Sequence, residues 1–433
     1  MFKNNTRWYI VGLLFLVNIV NYLDRAALSI ALPLIEKDLS ITPSQFGIIF
    51  GSFFFGYALF NFVGGLASDR FGALMTLAMA VTVWSVFCGL TALSMGFFSL
   101  LALRILFGMA EGPVNAAGNK MISGWFSKKN AATAVGLLSA GSPLGGAIAG
   151  PVVGFLAIAV GWRFAFLIIC CIGLAWVALW LFSAADNPSK SKVVTAEERR
   201  RIESEKERDF TLGDGHLQTK TAQKLSYYMK QPVILGTAFA FFSYNYILYF
   251  FLSWFPAYLV QAHGLDLKSM SIVTVIPWLV GFIGLSLGGY TSDFILRVTG
   301  RVFFSRKIIL VTCLFAAAVC VGCAGMVKTV TPAVILMSSA LFFLYSTGAI
   351  YWAIIQDVVH IDRVGGVGGA MHALANTSGM LGPVVTGYLV QNTGSFSSAF
   401  LLAGGITLFS VIIVFFCLKI NTSPAGMVEE PKL

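Results

Sequence analysis

Four charged residues lie inside stretches of sequence that are otherwise apolar. Asp24 and Arg25 are adjacent in the run 8–32, and Arg104 and Glu111 lie in the run 97–118. The seven-residue separation of Arg104 and Glu111 is close to two helical turns, so both would project from one helix face about 10 Å apart. Two acids and two arginines at membrane depth are costly, which marks them as candidates for a functional site.

The chemistry suggested by this set is the linked binding of an anion and a proton. A guanidinium presents a planar fork that fits a carboxylate, and Asp24 and Glu111 would compete with an anionic ligand for that fork. Protonation of either acid would free an arginine for the ligand. The alternative is an internally neutral ion-pair network that only fixes helix packing.

The composition shows which elements must position these charges. Of 433 residues, 57% are hydrophobic and 11% are charged, and the mean hydropathy is +0.82. Soluble domains carry about 25% charged residues, so this chain is neither an ordinary soluble enzyme nor a disordered chain. Twelve apolar runs predict an all-α membrane protein with twelve transmembrane helices, near 8–32, 45–67, 73–94, 97–118, 132–155, 162–184, 232–258, 270–292, 306–327, 331–356, 366–391 and 396–418.

Two sequence repeats divide the runs into halves. The segment 64–69 (GGLASD) returns as 288–293 (GGYTSD), and 151–154 (PVVG) is similar to 383–387 (PVVTG). We therefore predict two pseudo-symmetric six-helix bundles, with substrate carried near the midplane between them. The predicted boundaries are an N-terminal bundle over 1–184, a cytoplasmic linker loop over 185–231 and a C-terminal bundle with a short tail over 232–433.

Positive charge predicts the orientation in the membrane. If both termini are cytoplasmic, most of the 29 Lys and Arg residues lie on the cytoplasmic side, and four lie in outer loops: Lys37, Arg163, Lys268 and Lys328. This distribution follows the positive-inside rule and accounts for the net charge of +10 without a nucleic-acid partner. In the linker loop, 195–209 reads as a charged surface helix with Thr195 as N-cap and Glu198 completing a capping box.

A short motif follows the second run. Its residues are Gly65, Asp69, Arg70 and Gly72, in the pattern G-x-x-x-D-R-x-G, and Asp293 ends the later copy. The motif is similar to the loop signature of the major facilitator superfamily. We expect it to act as a conformational latch in which Asp69 caps a neighbouring helix N-terminus. The alternative is a plain tight turn.

Three further stretches resemble the anion:cation symporter family within that superfamily. They are 21–28 (NYLDRAAL), Arg104-x-x-x-Gly108-x-x-Glu111-Gly112-Pro113, and 251–259 (FLSWFPAYL). The resemblance covers essentially the whole chain. It implies a secondary transporter of organic anions that works without a cofactor or a metal and uses protons as the coupling ion.

The resemblance also implies roles for individual residues. Asp24 and Glu111 would carry protons, Arg25 would bind the substrate carboxylate, and Arg104 would couple to Glu111. Tyr57 corresponds to a substrate-facing tyrosine. Further candidates for the substrate cavity are His372, Asn376, Ser142 and Trp254. His372 and Ser142 stand where the family often has Asn and Gln, so substrate choice is open there, and His372 could equally be a packing residue. Most aromatic residues near Trp254 would be core.

The combined prediction is a proton-coupled importer of a sugar acid, namely an aldonate, hexuronate or aldarate. It would be a monomer in a bacterial cytoplasmic (inner) membrane, with a small anionic substrate, protons and the lipid bilayer as its partners. Within transport, the alternative is another small carboxylate or an efflux substrate. The alternative from a different class is a membrane receptor or enzyme.

Overall fold

The structure is a computed structural model that describes residues 5–191, 193–213 and 223–418, apart from the side chains at 62, 128–130, 132, 206–213, 293, 361 and 362. Within these ranges the regular elements are helices, joined by short loops and two 3₁₀ turns. The helices are α1 Thr6–Leu39, α2 Pro43–Phe71, α3 Ala73–Leu90, α4 Phe97–Glu111, α5 Val114–Trp125, α6 Lys128–Val160, α7 Trp162–Ser183, α8 Ala196–Gly213, α9 Leu225–Met229, α10 Pro232–Gln261, α11 Leu267–Val273, α12 Val275–Thr299, α13 Val302–Ala324, α14 Val330–Ser346, α15 Gly348–Val358, α16 Ile361–Thr393 and α17 Ser397–Cys417.

Each predicted apolar run coincides with one of these helices or with a broken pair of them, and four of the runs extend a few residues past a helix end. In the part of the chain that the structure describes, 11 stretches are long and apolar enough to cross a membrane. The helix outside this group is α16, which has 33 residues but carries polar side chains such as His372 and Asn376 along its middle. The predicted all-α membrane fold is confirmed, with one of the twelve expected spans more polar than the others.

The fourth run is broken where the site is built. Helix α4 ends at Glu111, and α5 begins at Val114 after Gly112 and Pro113. Proline has no N–H to donate to the carbonyl four residues earlier, so the helix cannot continue unbroken through it. The pair then runs on to Trp125 instead of stopping at the predicted 118. This break leaves the Glu111 side chain at a helix end, fully buried.

Small residues allow the helices to approach closely. A side chain at Gly108 of α4 would collide with the backbone carbonyl of Phe53 on α2. A side chain at Gly51 of α2 would collide in the same way with the carbonyl of Met380 on α16. Because lipid supplies no hydrophobic drive between helices, such backbone contacts hold membrane bundles together.

The first seven helices and the last eight helices meet at the end opposite to the linker. Helix α2 packs against α16, α6 against α11 and α12, and α1 against α10. Three of these contacts lie near the helix ends remote from α8: Gly47 with Pro383, Gly154 with Ser271, and the Gln261 amide donating to Glu36 at 2.9 Å. The space between the two groups of helices is thus closed on that side.

The linker helix α8 is docked onto the start of α1. The Thr195 hydroxyl accepts the Glu198 backbone N–H at 3.2 Å, as a helix N-cap does. The Glu198 carboxylate reaches across to the backbone N–H of Arg7 at 3.2 Å, so it caps α1. The Arg7 guanidinium contacts Glu205 at 2.6 Å, and Ile202 of α8 is buried. Partial burial acts to raise the pKa of Glu205, but hydrogen bonds from Arg7 and Arg201 outweigh it and hold that pKa below its usual value.

We predict that Glu198→Ala loosens this docking. The variant removes the buried carboxylate that caps α1, a loss of about 1 kcal/mol for a helix cap. Hydrogen exchange of α8 and of the first turn of α1 should then speed up about 5-fold, because exchange reports local opening.

Because the pKa of Glu205 is lowered in the folded protein, its ion pair with Arg7 stabilises the docking at pH values above the unfolded-state pKa. The docking should therefore weaken as the pH falls through the folded-state pKa of Glu205.

The matched control is Glu203→Ala, on the same helix. Glu203 forms an exposed pair with Arg199 at 3.0 Å, and such pairs contribute little. Equal exchange rates in the two variants would contradict a capping role for Glu198.

Candidate functional site

The centre of the site is an ion pair between Arg25 of α1 and Glu111 at the end of α4. The Arg25 Nε donates to Glu111 Oε2 at 2.6 Å. The two side chains are 8% and 0% exposed, so the pair is almost fully removed from solvent. Neither charge would be stable at this depth without the other.

In this ion pair, some hydrogen-bonding atoms of Arg25 and of Glu111 have no partner among the described residues. Among the described residues, no acceptor lies within hydrogen-bonding distance of the two terminal nitrogens of Arg25. Glu111 Oε1 is likewise buried without a hydrogen bond, with the Asn21 side chain close by. The Arg25 fork is therefore available to a second carboxylate.

Aromatic rings surround the Arg25 guanidinium. Its carbon lies 5.4, 4.9 and 4.8 Å from the ring centroids of Tyr22, Phe53 and Tyr57. Cation–π contacts of this kind stabilise a desolvated cation without occupying its hydrogen-bond donors. The Tyr57 hydroxyl accepts from Asn115 at 2.8 Å, which holds the ring in place. The structure thus places Tyr57 of α2 beside Arg25.

Asp24 faces away from Arg25, towards α3. Its Oδ2 accepts from the indole N–H of Trp84 at 2.8 Å, and its Oδ1 is buried without a hydrogen bond. Arg104 interacts with Asp24 electrostatically. The structure therefore contains two buried acids with different partners, Glu111 on an arginine and Asp24 on an indole.

Arg104 interacts electrostatically with both acids but forms no ion pair with either within the described chain. Its Nε is buried without a hydrogen bond, and its guanidinium lies 5.0 Å from the Phe107 ring centroid. The resemblance to the anion:cation symporter family implies that Arg104 couples to Glu111. In the structure the direct partner of Glu111 is Arg25 of α1, whereas Arg104 lies about two helical turns from Glu111 along α4.

The opposite wall of the site is built from α10 and α16. Asn376 accepts from the Tyr249 hydroxyl at 2.7 Å and donates to the His372 backbone carbonyl at 2.8 Å. The Tyr249 ring lies 4.1 Å from Phe54 of α2, which joins this wall to the N-terminal helices. The His372 ring packs between Phe241 and Trp352, with centroids 5.6 and 6.0 Å away.

The remaining two substrate candidates have different surroundings. Ser142 on α6 interacts with the hydroxyl of Tyr22 and so borders the site. Trp254 does not: it is 1% exposed, its indole N–H donates to the Pro383 carbonyl at 3.2 Å, and its ring packs edge-on against Phe50. The structure gives Trp254 a packing position at the contact between α10 and α16, which agrees with the reading of aromatic residues there as core.

The loop motif lies at the linker end of α2. Asp69 pairs with Lys120 of α5, and the Arg70 guanidinium folds over Phe71. Gly72 has φ +87°, which favours glycine, and a side chain there would collide with Asp186. It is Asp186, and not Asp69 as predicted, that caps the start of α3, by accepting the Leu74 N–H at 2.8 Å.

Two further residues of the motif are Gly65 and Asp293. A side chain at Gly65 would point into open space. The side chain of Asp293 lies outside the described residues. Near the later copy of the motif, Arg306 pairs with Asp357 at 3.3 Å.

Some contacts at the site were not accessible to sequence reasoning. Trp84, Asn115 and Phe53 lie on helices far apart in the sequence, and nothing in their local pattern distinguishes them from core residues. A buried charge signals that a partner exists, but the partner is set by helix packing.

Comparison with known proteins agrees with this architecture. The family model described as Major Facilitator Superfamily matches residues 14–371. The chain is 51% identical over 426 residues to the hexuronate transporter of Bacillus subtilis (strain 168), covering 97% of each chain. It is 30% identical to a probable galactarate/D-glucarate transporter of the same organism, over 95% of this chain and 91% of that one.

A solved structure shares the fold. It is that of a bacterial homolog to the human lysosomal transporter Spinster, in an inward-facing and unoccupied conformation. The TM-score is 0.69 at 18% identity, with 95% of each chain covered. The family match and the long alignment to a curated relative together show that this chain belongs to the major facilitator superfamily and is a multi-pass membrane transporter, not an enzyme.

Proposed function

We propose that the protein imports a sugar acid together with protons by alternating access. The observation that carries the proposal is the buried Arg25–Glu111 pair, in which the terminal nitrogens of Arg25 remain free. Support comes from the relatives that are named as transporters of a hexuronate and of galactarate or D-glucarate.

The coupling follows from charge balance at this pair. A proton taken up by Glu111 neutralises the carboxylate and releases Arg25, whose fork then binds the carboxylate of the substrate. The number of buried charges is unchanged, because the substrate anion replaces the Glu111 anion. When the substrate leaves, Arg25 returns to Glu111 and the proton is expelled. A bare Arg25 would bury an unpaired cation, so the carrier reorients either loaded or with the pair closed.

Asp24 is proposed as a second proton carrier. Its carboxylate is held by Trp84 and is close to Arg104 without an ion pair, so its charge can change without moving Arg25. The other proposed roles follow from the walls of the site. Tyr57 positions Arg25, while His372, Asn376 and Ser142 would contact substrate hydroxyls.

The proposal includes an orientation. The linker and both termini would be cytoplasmic in a bacterial inner membrane, because most of the basic residues are on that side. The closed side would then face outward and the protein, acting as a monomer, would be ready to release substrate to the cytoplasm.

The direct test is uptake into proteoliposomes with an inside-alkaline gradient, across a panel of hexuronates, aldonates and aldarates. We expect accumulation of at least one sugar acid that collapses when a protonophore removes the gradient. Binding without gradient-driven accumulation would indicate a receptor, and absence of uptake for the whole panel would contradict the proposal.

We predict that Glu111→Gln and Asp24→Asn each abolish gradient-driven accumulation. Both variants keep the shape of the side chain but cannot release a proton, so the cycle cannot return to its start. Exchange of external for internal substrate should persist, because it needs no net proton movement. Glu203→Gln in the linker is the control and should behave as the unmodified protein. Normal accumulation in both site variants would rule out the assigned proton roles.

We predict separately that Arg25→Lys weakens substrate binding about 10- to 100-fold. Lysine keeps the charge but loses the fork that holds a carboxylate by two hydrogen bonds, and a hydrogen bond to a charged group contributes about 1.5–3 kcal/mol. Binding is measured by counterflow or by ligand protection against thermal unfolding. Arg163→Lys, at an exposed pair with Asp38, is the matched control. Unchanged affinity in Arg25→Lys would remove Arg25 from the substrate site.

A further inference from the structure

The half of the site contributed by the C-terminal helices contains no arginine or lysine. From Pro232 to Leu418 the sequence has seven such residues, and all lie between helices or close to helix ends: Lys268, Arg297, Arg301, Arg306, Lys307, Lys328 and Arg363. The titratable imidazole on this side is His372, with the Asn376 amide within 3.3 Å of its ring. A fixed cation that binds a substrate carboxylate therefore comes from the N-terminal helices, where Arg25 lies.

Two buried tyrosines lie on the C-terminal side of the site. Tyr244 of α10 and Tyr345 of α14 are buried and meet edge to face, with ring centroids 6.3 Å apart. Both interact electrostatically with Tyr22, the residue whose ring lies against the Arg25 guanidinium. Their hydroxyls make no hydrogen bond to any residue that the structure describes. Two phenol hydroxyls thus lack partners on the wall opposite Arg25.

These two hydroxyls differ from those of three other buried tyrosines in the C-terminal helices. The Tyr249 hydroxyl is used by Asn376 at 2.7 Å, and the Tyr351 hydroxyl by Thr347 at 3.0 Å. Tyr258 donates to the Ala324 carbonyl at 2.8 Å. A phenol hydroxyl without a protein partner keeps its donor and its acceptor free, so this pair is available to the hydroxyls of a ligand.

We propose that Tyr244 and Tyr345 bind the uncharged, hydroxylated end of the sugar acid, and that the site consequently takes acids with one carboxylate and rejects those with two. The inference rests on the proposed function. A phenol both donates and accepts, which matches an alcohol or a hemiacetal hydroxyl. A second carboxylate at this wall would be buried without a cation, a loss that a neutral phenol does not offset.

The first test is competition between D-glucuronate and D-glucarate for the unmodified protein in proteoliposomes. The two acids share one carboxylate and differ at the far carbon, where glucarate carries the second charge. We expect half-inhibition by glucarate to need at least about 30-fold more ligand, since a buried unpaired charge is strongly disfavoured. Inhibition within about 3-fold would overturn the single-carboxylate inference and leave the proposed function standing. If neither acid is bound or transported, the single-carboxylate inference fails, and the proposed function is decided by uptake across the full panel of sugar acids.

The second test removes the hydroxyls singly. Tyr244→Phe and Tyr345→Phe should each weaken D-glucuronate binding about 3- to 10-fold, as expected for one neutral hydrogen bond. Binding of D-glycerate, which is too short to reach the opposite wall, should not change. The matched control is Tyr246→Phe, a buried phenol on α10 that packs against Phe242 and Gly382. Unchanged D-glucuronate affinity in both site variants, or an equal loss for D-glycerate, would contradict the assignment.

Discussion

The structure depends on how a single arginine charge is kept inside a membrane. Arg25 is held by Glu111 at 2.6 Å and by three aromatic rings, with almost no exposure to water. A buried pair of this kind adds little stability by itself, but removal of one partner is very unfavourable. This difference between a complete ion pair and a lone buried charge is what the proposed transport cycle uses. Anything that neutralises Glu111 must be accompanied by a new anion, and in the proposed cycle that anion is the substrate.

The rest of the fold brings the two partners together and keeps water and other ions away. The break after α4 leaves Glu111 at a helix end, and the small Gly108 lets α4 approach α2 closely. The contacts remote from the linker close one side of the site. Asn376 and Tyr249 complete the wall on the other half of the molecule. Because the walls belong to two groups of helices, relative motion of those groups changes access without dismantling the Arg25 environment.

Sequence reasoning identified the charged residues but not all of their partners. Asp24, Arg25, Arg104 and Glu111 were recognisable because charge in an apolar run is unfavourable unless it is paired or used. The family resemblance suggested that Arg104 couples to Glu111, whereas in the structure Arg25 of α1 is the residue paired with Glu111. The twelve runs were likewise visible in hydropathy, including the polar α16. The identity of the acid that caps α3 was not visible in the sequence, because Asp186 lies 112 residues away in the chain from Leu74, whose N–H it accepts.

The central claim is that substrate binding places a proton on Glu111. Infrared difference spectroscopy of the purified protein, with and without D-glucuronate, tests it directly, because a protonated carboxyl has a carbonyl band distinct from that of a carboxylate. The account predicts that such a band appears on binding in the unmodified protein and is missing in Glu111→Gln. A spectrum without the band, or one in which the band persists unchanged in Glu111→Gln, would contradict it.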